Sequence, residues 1–303
     1  MKKSDTIKVG GEAMKEALLY EKIDNKIVIC HVCEHHCKIK HNHVGICGVR
    51  KNIEGTLYAL NYPLSVASSI DPIEKKPIYH FLPHTSTYSF ATEGCNLDCS
   101  WCQNHDIAKS PIKTRKIRGI ELTPSEHIKK ALAYHCPSIS YTYTEPTIFL
   151  EYALETMKLA HQNKLKNIWV SNGFMSRETL ELIIPYLDAI NVDYKVHNDE
   201  EYQKYTNGLG SIVLRNMKTI KDAHIHLEVT CLIIPGVNDR EEALMKMLQD
   251  LFDYLGEDQV IHLSRFFGAY KMKNYLPTPK ETMYLARDLA RDIGFKQIHL
   301  GNM

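Results

Sequence analysis

Seven of the nine cysteines in this 303-residue sequence lie in two short segments, and cysteines grouped in this way are candidates for metal chemistry. The first segment holds four and the second holds three: Cys30, Cys33, Cys37 and Cys47, and then Cys95, Cys99 and Cys102. In a reducing compartment disulfides are disfavoured, so grouped thiols are typical of metal ligands or redox groups. Cys136 and Cys231 stand alone, and we expect them to be small hydrophobic residues of the core.

The three-cysteine segment favours an iron–sulfur cluster that is open on one side. Three residues separate Cys95 from Cys99 and two separate Cys99 from Cys102, so one compact loop carries all three thiolates. A [4Fe–4S] cluster has four irons, and three cysteine ligands leave one of them without a protein ligand. Such a vacancy suits a small molecule, as the open position of a catalytic zinc site does. Taken alone, the spacing also permits structural zinc with a distant fourth ligand, or simply buried cysteines.

The four-cysteine segment has enough ligands for a closed metal site. Cys30, Cys33, Cys37 and Cys47 supply four thiolates within 18 residues. Tetrahedral zinc and a second, fully ligated iron–sulfur cluster both fit such a set. Histidines crowd the same segment, and one of them could replace a cysteine ligand: His31, His35, His36, His41 and His43. We predict a metal site here, with zinc and iron–sulfur both open.

The elements that must hold the three-cysteine loop alternate between strands and helices from about residue 87. Six short runs rich in β-branched and aromatic residues predict strands: Tyr88–Thr92, Ile139–Thr144, Asn167–Ser171, Ala189–Asp193, Leu227–Ile234 and Val260–Phe266. Helix-length segments lie between them, and one begins with the capping sequence Thr123-Pro124-Ser125-Glu126. Right-handed helical crossovers between parallel strands curl such a sheet. We predict an α/β fold: a partial (β/α)6 TIM-like barrel over residues 84–303, and an N-terminal cysteine-rich, metal-binding extension over residues 1–83.

Polar residues follow the second and third predicted strands at their carboxyl ends, where barrels of this kind gather their chemistry. Glu145 ends the second strand, and Ser171 and Asn172 end the third. A carboxylate at the mouth could accept charge-assisted hydrogen bonds from a ligand. The alternative is that Glu145 only complements the dipole of the helix that follows it.

Charged residues follow later strands in the same way. Asp193 and Lys195 end the fourth strand and, being two residues apart, face the same side. Their alternative role is a structural ion pair at the rim of the barrel. Arg265 lies near the end of the sixth strand, where its guanidinium could bind a carboxylate through two hydrogen bonds.

With a Cys-x3-Cys-x2-Cys loop after its first barrel strand, the sequence resembles the radical S-adenosylmethionine (SAM) superfamily, and within it the branch around pyruvate formate-lyase activating enzymes. More narrowly, it looks like the radical SAM enzyme of the AmmeMemoRadiSam system. The matching motifs cover nearly the whole chain: Asp71-Pro72-Ile73-Glu74-Lys75-Lys76-Pro77, Gly94-Cys95-Asn96 through Cys102-Gln103-Asn104, Tyr143-Thr144-Glu145-Pro146-Thr147, Ser171-Asn172-Gly173, Asp193-Tyr194-Lys195, Pro235-Gly236-Val237-Asn238-Asp239 and Ser264-Arg265-Phe266. So many matches in register leave little room for zinc at the three-cysteine loop.

The resemblance implies two cofactors, a [4Fe–4S] cluster and SAM. SAM would chelate the open iron through its amino and carboxylate groups, and an electron from the cluster would cleave it to methionine and a 5′-deoxyadenosyl radical. The radical would then abstract hydrogen from a substrate. An external donor of the flavodoxin or ferredoxin type would supply the electron, and an auxiliary cluster at the N-terminal cysteines could relay it.

The resemblance also implies roles for the residues at the strand ends. Glu145 matches the glutamate that accepts hydrogen bonds from the ammonium group of SAM. Asp193 and Lys195 match an Asp-x-Lys pair that forms a polar clamp near SAM or a cation. Related activases often carry an aspartate just before the Ser171-Asn172-Gly173 triplet, where it helps to bind a monovalent cation near SAM. This sequence has Val170 there, which puts that cation site in doubt.

Composition excludes several other classes of protein. Lysine and arginine total 37 against 36 aspartate and glutamate, which argues against nucleic-acid binding by bulk charge. No apolar stretch approaches the roughly 20 residues that span a bilayer. The N-terminus turns polar at once, at Lys2-Lys3-Ser4-Asp5, and shows no secretory signal. We therefore expect a cytoplasmic protein without a membrane partner.

Two functional subclasses remain open at this point. The first is an activating enzyme that abstracts hydrogen from a glycine of a partner protein. The second acts on a small molecule or a side chain within an AmmeMemoRadiSam-type pathway, and the closest motif match favours it. A third hypothesis, from another class, is a non-catalytic zinc protein that binds partners. It predicts zinc at both cysteine groups, and measured iron would exclude it.

Overall fold

The computed structural model describes residues 6–9 and 12–303, with side chains described from residue 14 onward. The strands before the large sheet are short: β1 (Thr6–Val9), β2 (Glu12–Glu16), β3 (Tyr20–Ile23), β4 (Ile27–Cys30), β5 (Lys38–Ile39), β6 (Arg50–Ile53), β7 (Thr56–Ala59) and β8 (Leu64–Ser65). They form a four-stranded sheet in the order β1-β2-β7-β6 and a three-stranded sheet in the order β3-β4-β5, while β8 pairs with a later strand. Antiparallel hairpins bring the four N-terminal cysteines into one small region.

The remaining strands, apart from β11 (Ile120–Glu121), which pairs with β8, build one eight-stranded sheet. They are β9 (Ala67–Pro72), β10 (Ser86–Ala91), β12 (Ser138–Tyr141), β13 (Lys166–Ser171), β14 (Ala189–Asp193), β15 (His226–Ile233), β16 (Val260–Arg265) and β17 (Gln297–Gly301). Their order is β17-β16-β15-β14-β13-β12-β10-β9, and only β9 runs antiparallel to its neighbour. All six predicted strands are confirmed. The prediction was incomplete, because β9 and β17 extend the sheet at its two edges.

The sheet is an open one. Among the residues that the structure describes, the edge strands β9 and β17 do not pair with each other, so no closed barrel forms. The segment after β9 crosses the amino-terminal side of the sheet instead: the amides of Tyr79 and His80 donate to the carboxylate of Glu228 on β15, and Asn191 on β14 donates to the carbonyl of Pro77. His80 also reaches His299 on β17, with 2.8 Å between their Nε2 atoms. This segment covers the end of the sheet that lies away from the cysteine loop.

Nine helices occur in the described residues, most of them in the crossovers: α1 (His105–Ala108), α2 (Ser110–Thr114), α3 (Pro124–Ala133), α4 (Leu150–Gln162), α5 (Arg177–Ile183), α6 (Asp199–Thr206), α7 (Gly210–Asp222), α8 (Glu241–Leu255) and α9 (Lys280–Ile293). The predicted start of α3 is confirmed, since Thr123 and Glu126 form a complete capping box. Leu244, Leu248 and Leu251 of α8 repeat at helical spacing and are fully buried. No helix in residues 6–9 and 12–303 is long and apolar enough to cross a membrane.

The larger of two hydrophobic clusters includes residues from the N-terminal region and from the large sheet, for example Val28 and Leu57 together with Phe90 and Trp169. The predicted boundary at residue 83 stays a prediction. In the structure, β9 lies on its N-terminal side but belongs to the large sheet, through pairing with β10. The N-terminal region is also tied to α4 by a buried ion pair, in which both guanidinium NH groups of Arg50 donate to Glu151.

Candidate active site

The loop after β10 places its three cysteines beside one cavity of about 360 Å³. Cys95, Cys99 and Cys102 all line it, at the carboxyl ends of the parallel strands. This size falls within the usual range for small-molecule sites. The parallel arrangement explains the convergence, because the ends of all parallel strands meet at the same edge.

Contacts with α6 and two lysines hold the cysteine loop in place. The amides of Asp98 and Ser100 donate to the carbonyls of Thr206 and Tyr205, at 2.7 and 3.0 Å. The Asp98 carboxylate also binds Lys271, with 2.7 Å between Nζ and Oδ2, and pairs with Lys109. An anchored loop presents its thiols without having to order on ligand binding, which lowers the entropic cost of assembling a site.

Without a metal, the three thiols of the loop are expected to be protonated. Burial raises the pKa of Cys99 to about 11, and burial likewise raises the pKa of Cys95 and of Cys102. At neutral pH these thiols therefore stay protonated until iron replaces the proton. Three soft sulfur donors on one cavity wall are the donor set that an iron–sulfur cluster takes, so these residues fit the predicted [4Fe–4S] cluster.

Glu145 links the ends of β12 and β13 at the wall of the cavity. It is 1% exposed and accepts four hydrogen bonds: from the amide and hydroxyl of Thr147 at 3.0 and 2.6 Å, from the hydroxyl of Ser171 at 2.8 Å, and from the amide of Asn172 at 2.8 Å. Burial raises the pKa of Glu145 against these donors. Among the described residues one donor reaches Oε2, so that oxygen can still accept a bond from a ligand in the cavity.

Asn172 connects this carboxylate to the cysteine loop. Its Nδ2 donates to Asn96 Oδ1 at 2.8 Å and lies 3.8 Å from the sulfur of Cys95. The next residue must be glycine, since Gly173 has φ +72° and an added Cβ would lie 2.8 Å from Val192 Cγ1. The triplet thus turns sharply after β13 and directs Asn172 toward Cys95.

Asp193 and Lys195 lie on the wall beside β14. Both line the cavity, and 3.1 Å separates Lys195 Nζ from Asp193 Oδ2. Burial opposes the charge on Lys195, but Asp193, Cys99 and Tyr202 together outweigh it and raise the pKa of the lysine. Lys195 is therefore a buried cation close to Cys99, and the pair offers one charge of each sign to a ligand.

The structure does not bring Arg265 to this cavity. Its Nε donates to the carbonyl of Thr278 at 2.7 Å, and its guanidinium lies over the ring of Phe267. The neighbouring Ser264 does line the cavity. The other eight residues predicted to bind cofactors all line it: Cys95, Cys99, Cys102, Glu145, Ser171, Asn172, Asp193 and Lys195.

One part of the cavity wall was missed as a site by sequence reasoning. Lys76 is 3% exposed and donates to Asp71 Oδ2 at 2.7 Å, and the hydroxyl of Tyr143 donates to the same oxygen at 2.7 Å. Lys75 also pairs with Asp71, and both lysines line the cavity. Tyr143 is held at φ 64°, a strained conformation that is common at functional sites. The sequence signals were the Asp71–Pro77 motif and the Tyr143–Thr147 motif, neither of which assigns a role to these residues.

The four N-terminal cysteines line a second, smaller cavity. Cys30, Cys33, Cys37 and Cys47 all border it, together with Arg50. In the described part of the chain, no three cysteine, histidine, aspartate or glutamate side chains are placed to hold a single metal ion. The four thiols instead surround a shared space.

This fold and this cysteine loop define a radical SAM protein. A family model described as "Radical SAM superfamily" matches residues 90–248, which is more than half of the chain, and the chain belongs to that superfamily. Membership implies a [4Fe–4S] cluster and SAM.

Among relatives, an uncharacterized protein of Methanocaldococcus jannaschii is 41% identical over 290 residues, covering 96% of this chain and 86% of that protein. The pyruvate formate-lyase-activating enzyme of Streptococcus mutans is 20% identical over 166 residues, covering 51% of this chain and 62% of that enzyme. A solved radical SAM methyltransferase from Sphaerobacter thermophilus shares the fold, with a TM-score of 0.52 and 14% identity over 73% of this chain and 67% of that chain.

Proposed function

We propose that this protein cleaves SAM reductively at the Cys95–Cys99–Cys102 loop and uses the product to abstract hydrogen from a substrate. One observation carries the proposal: the three thiols share a single cavity with Glu145, Asn172 and the Asp193–Lys195 pair. When bound, the cluster and SAM supply a one-electron cleavage that yields methionine and a 5′-deoxyadenosyl radical.

The residues of the chain hold and orient SAM in this proposal. Cys95, Cys99 and Cys102 would hold the cluster and leave one of its irons for SAM. Glu145 Oε2 would accept a hydrogen bond from the ammonium group of SAM, and such charge-assisted bonds are strong. Asp193 and Lys195 stand on another wall of the cavity and contact the polar parts of the cofactor.

The far side of the same cavity is where we place the substrate. Two lysines, Lys75 and Lys76, face one carboxylate, Asp71, so this wall carries a net charge of +1 (two positive groups and one negative). The phenol of Tyr143 lies beside them. A cationic wall favours a substrate that carries a carboxylate or phosphate.

The resemblance to known radical SAM enzymes supports two proposals about the reaction. We assign the reaction to an AmmeMemoRadiSam-type pathway, since the quoted motifs match that group most closely, and we assign the electron supply to a flavodoxin- or ferredoxin-type donor in the cytoplasm. The second candidate is an activating enzyme that forms a glycyl radical on a partner protein. The matches to pyruvate formate-lyase-activating enzymes favour that candidate.

Anaerobic reconstitution tests the proposal. The purified protein is loaded with iron and sulfide, mixed with SAM and dithionite, and assayed for 5′-deoxyadenosine and methionine in equal amounts. Formation of both supports the proposal, and a protein that holds its cluster yet forms neither would refute it. A glycyl radical detected by electron paramagnetic resonance (EPR) on an added glycyl-radical enzyme would favour the second candidate over the first.

A further inference from the structure

The four N-terminal cysteines come together through local turns. Cys30 ends β4, and its amide donates to the carbonyl of Cys37 at 3.0 Å. Cys47 lies in a turn closed by a 2.9 Å bond from the amide of Gly48 to the carbonyl of Gly45. Gly45 packs closely in this turn, since an added Cβ would lie 3.3 Å from Ile39 Cδ1 and 3.6 Å from the sulfur of Cys37. These turns bring four thiols to the border of one cavity.

Besides the four cysteines, the cavity is lined mainly by aliphatic side chains, with His35, Asn96 and the cation Arg50 as its polar members. Aliphatic side chains line it, among them Val32, Ile39 and Ile148, and Arg50 reaches it from β6. Arg50 is 2% exposed, and its two NH groups bind Glu151, but its Nε has no hydrogen-bond partner in the described part of the chain. A buried donor without a partner costs free energy, so such a group indicates an acceptor that belongs there.

The Arg50 donor fits a cluster held by four thiolates. A [4Fe–4S]2+ core bound by four thiolates carries a net charge of −2, and an arginine at its edge offsets part of that charge. The Nε–H of Arg50 can donate to a cluster or thiolate sulfur, a bond known to tune iron–sulfur centres. Tetrahedral zinc would require the thiolates to meet at one ion, about 2.3 Å from each sulfur. The four thiols here surround a cavity instead.

The cavity is also directly adjacent to the active-site loop. Asn96, the residue after Cys95, lines it. His35 Nε2 lies 2.8 Å from the carbonyl oxygen of Asn96, and Cys33 forms a backbone bridge with Met175. A Cβ on Gly94 would lie only 3.0 Å from the carbonyl oxygen of Cys47, so the two cysteine loops touch through their backbones. This adjacency would give an electron carrier at the N-terminal cysteines a short path to the active-site loop.

We propose that Cys30, Cys33, Cys37 and Cys47 bind a second, fully ligated [4Fe–4S] cluster that passes electrons through the Cys95–Asn96 wall to the cluster of the active site. The metal site is inferred from the residues that line it. The direction of electron flow depends on the proposed function. The donor, a flavodoxin- or ferredoxin-type protein, loses one electron and reduces the N-terminal cluster from the 2+ to the 1+ state. That cluster returns to 2+ as it reduces the active-site cluster from 2+ to 1+. No bond or proton moves in this transfer.

The site is tested by metal content in a variant without the active-site cluster. Anaerobically reconstituted Cys95→Ala/Cys99→Ala/Cys102→Ala is expected to keep about four irons per chain and no zinc, and the Cys136→Ala control about eight irons. Reduced with dithionite, the triple variant is expected to show an EPR signal that SAM does not alter. A triple variant that holds about one zinc and no iron would overturn the proposal. If that variant does not fold, the wild type decides, since about four irons with one zinc would overturn the proposal as well.

The relay is tested by comparing two electron donors. In Cys30→Ser/Cys33→Ser, the ratio of flavodoxin-driven to dithionite-driven 5′-deoxyadenosine formation is expected to fall by about ten-fold or more relative to the wild type. An unchanged ratio would overturn the relay. A wild-type protein that holds both clusters yet cleaves no SAM would instead refute the proposed function and leave the second site intact.

Discussion

The two cysteine groups of this chain use the same ligand atom in opposite surroundings. The active-site loop places three thiols on a cavity of about 360 Å³ whose walls carry charged groups of both signs. The N-terminal group places four thiols around a small cavity lined mainly by aliphatic side chains, with one buried guanidinium. Three ligands leave room for a small molecule, whereas four leave none. If both proposals hold, ligand number and wall chemistry, rather than the cysteines themselves, distinguish a site for bond cleavage from a site for electron transfer.

The largest effect is expected when the three-ligand loop loses one ligand. Cys99→Ala removes one of the three protein ligands of the cluster, so SAM cleavage is expected to fall below detection. The measurement is 5′-deoxyadenosine formed with SAM and dithionite. Cys136→Ala is the matched control, since Cys136 is a buried cysteine outside both groups and its loss should leave turnover intact. Substantial activity in Cys99→Ala would contradict the assignment of the loop.

The second effect concerns the buried ion pair that joins the N-terminal region to α4. Arg50→Met leaves Glu151 buried without its charged partner, which is expected to cost about 3–5 kcal/mol of unfolding free energy. Replacing both residues, as Arg50→Met/Glu151→Leu, should recover part of that loss. Urea unfolding under anaerobic conditions measures both.

The control for this prediction is the ion pair that holds the active-site loop. Lys271 and Asp98 are nearly half exposed, so Lys271→Met is expected to cost less than about 1 kcal/mol. Equal losses in Arg50→Met and Lys271→Met would show that the N-terminal region does not depend on its buried pair.

The third effect separates cofactor binding from cluster binding. Glu145→Gln keeps the shape of the side chain but removes its charge, and a hydrogen bond to a charged group is worth roughly 1.5–3 kcal/mol. SAM affinity is therefore expected to fall by about 10- to 100-fold, while the iron content stays unchanged. Anaerobic calorimetry measures the affinity, and Glu242→Gln, on the exposed face of α8, serves as control. If SAM affinity is unchanged in Glu145→Gln, this carboxylate does not bind SAM and only links β12 to β13.

The smallest effect lies in the core, away from both cysteine groups. His127 stacks on Phe90 and contacts the hydroxyls of Tyr88 and Tyr152. Burial, helped by Lys130, lowers the pKa of His127 to about 3. In the unfolded chain the His127 imidazole has its ordinary pKa near 6.5, so at mildly acidic pH the unfolded state binds a proton that the folded state does not. The contribution to stability is complete above pH 6.5 and declines as the pH falls toward 3.

His127→Gln tests this sign. The wild type is expected to lose about 2 kcal/mol more unfolding free energy than the variant between pH 7 and pH 5, measured by urea unfolding. An identical pH dependence in both proteins would show that His127 is not held neutral. The cysteine sites are not involved, so metal content should match in the two proteins.

The parts of the fold that local patterns determine could be predicted from the sequence. Six apolar strands and the Thr123 capping box depend on neighbouring residues, and their bounds agree with the structure within a few residues. The convergence of Glu145 and Asn172 on the cysteine loop followed from topology, since parallel strands end at one edge.

The missed elements depend on distant partners or on weak patterns. β17 reads Gln-Ile-His-Leu-Gly and is only partly buried, so it lacks a clear strand signal. β9 is polar and pairs only as an edge strand. The contact of Lys76 with Tyr143 joins residues 67 positions apart, which no local pattern shows. Arg265 was expected at the cavity from its place at a strand end, but its side chain turns toward Thr278.

The most direct test of the central claim is the EPR spectrum of the reduced protein with and without SAM. We predict a [4Fe–4S] signal from the Cys95–Cys99–Cys102 site whose shape changes when SAM is added, because SAM binds the iron that lacks a cysteine. The absence of any cluster signal in anaerobically reconstituted protein, or a signal that SAM leaves unaltered, would contradict the account.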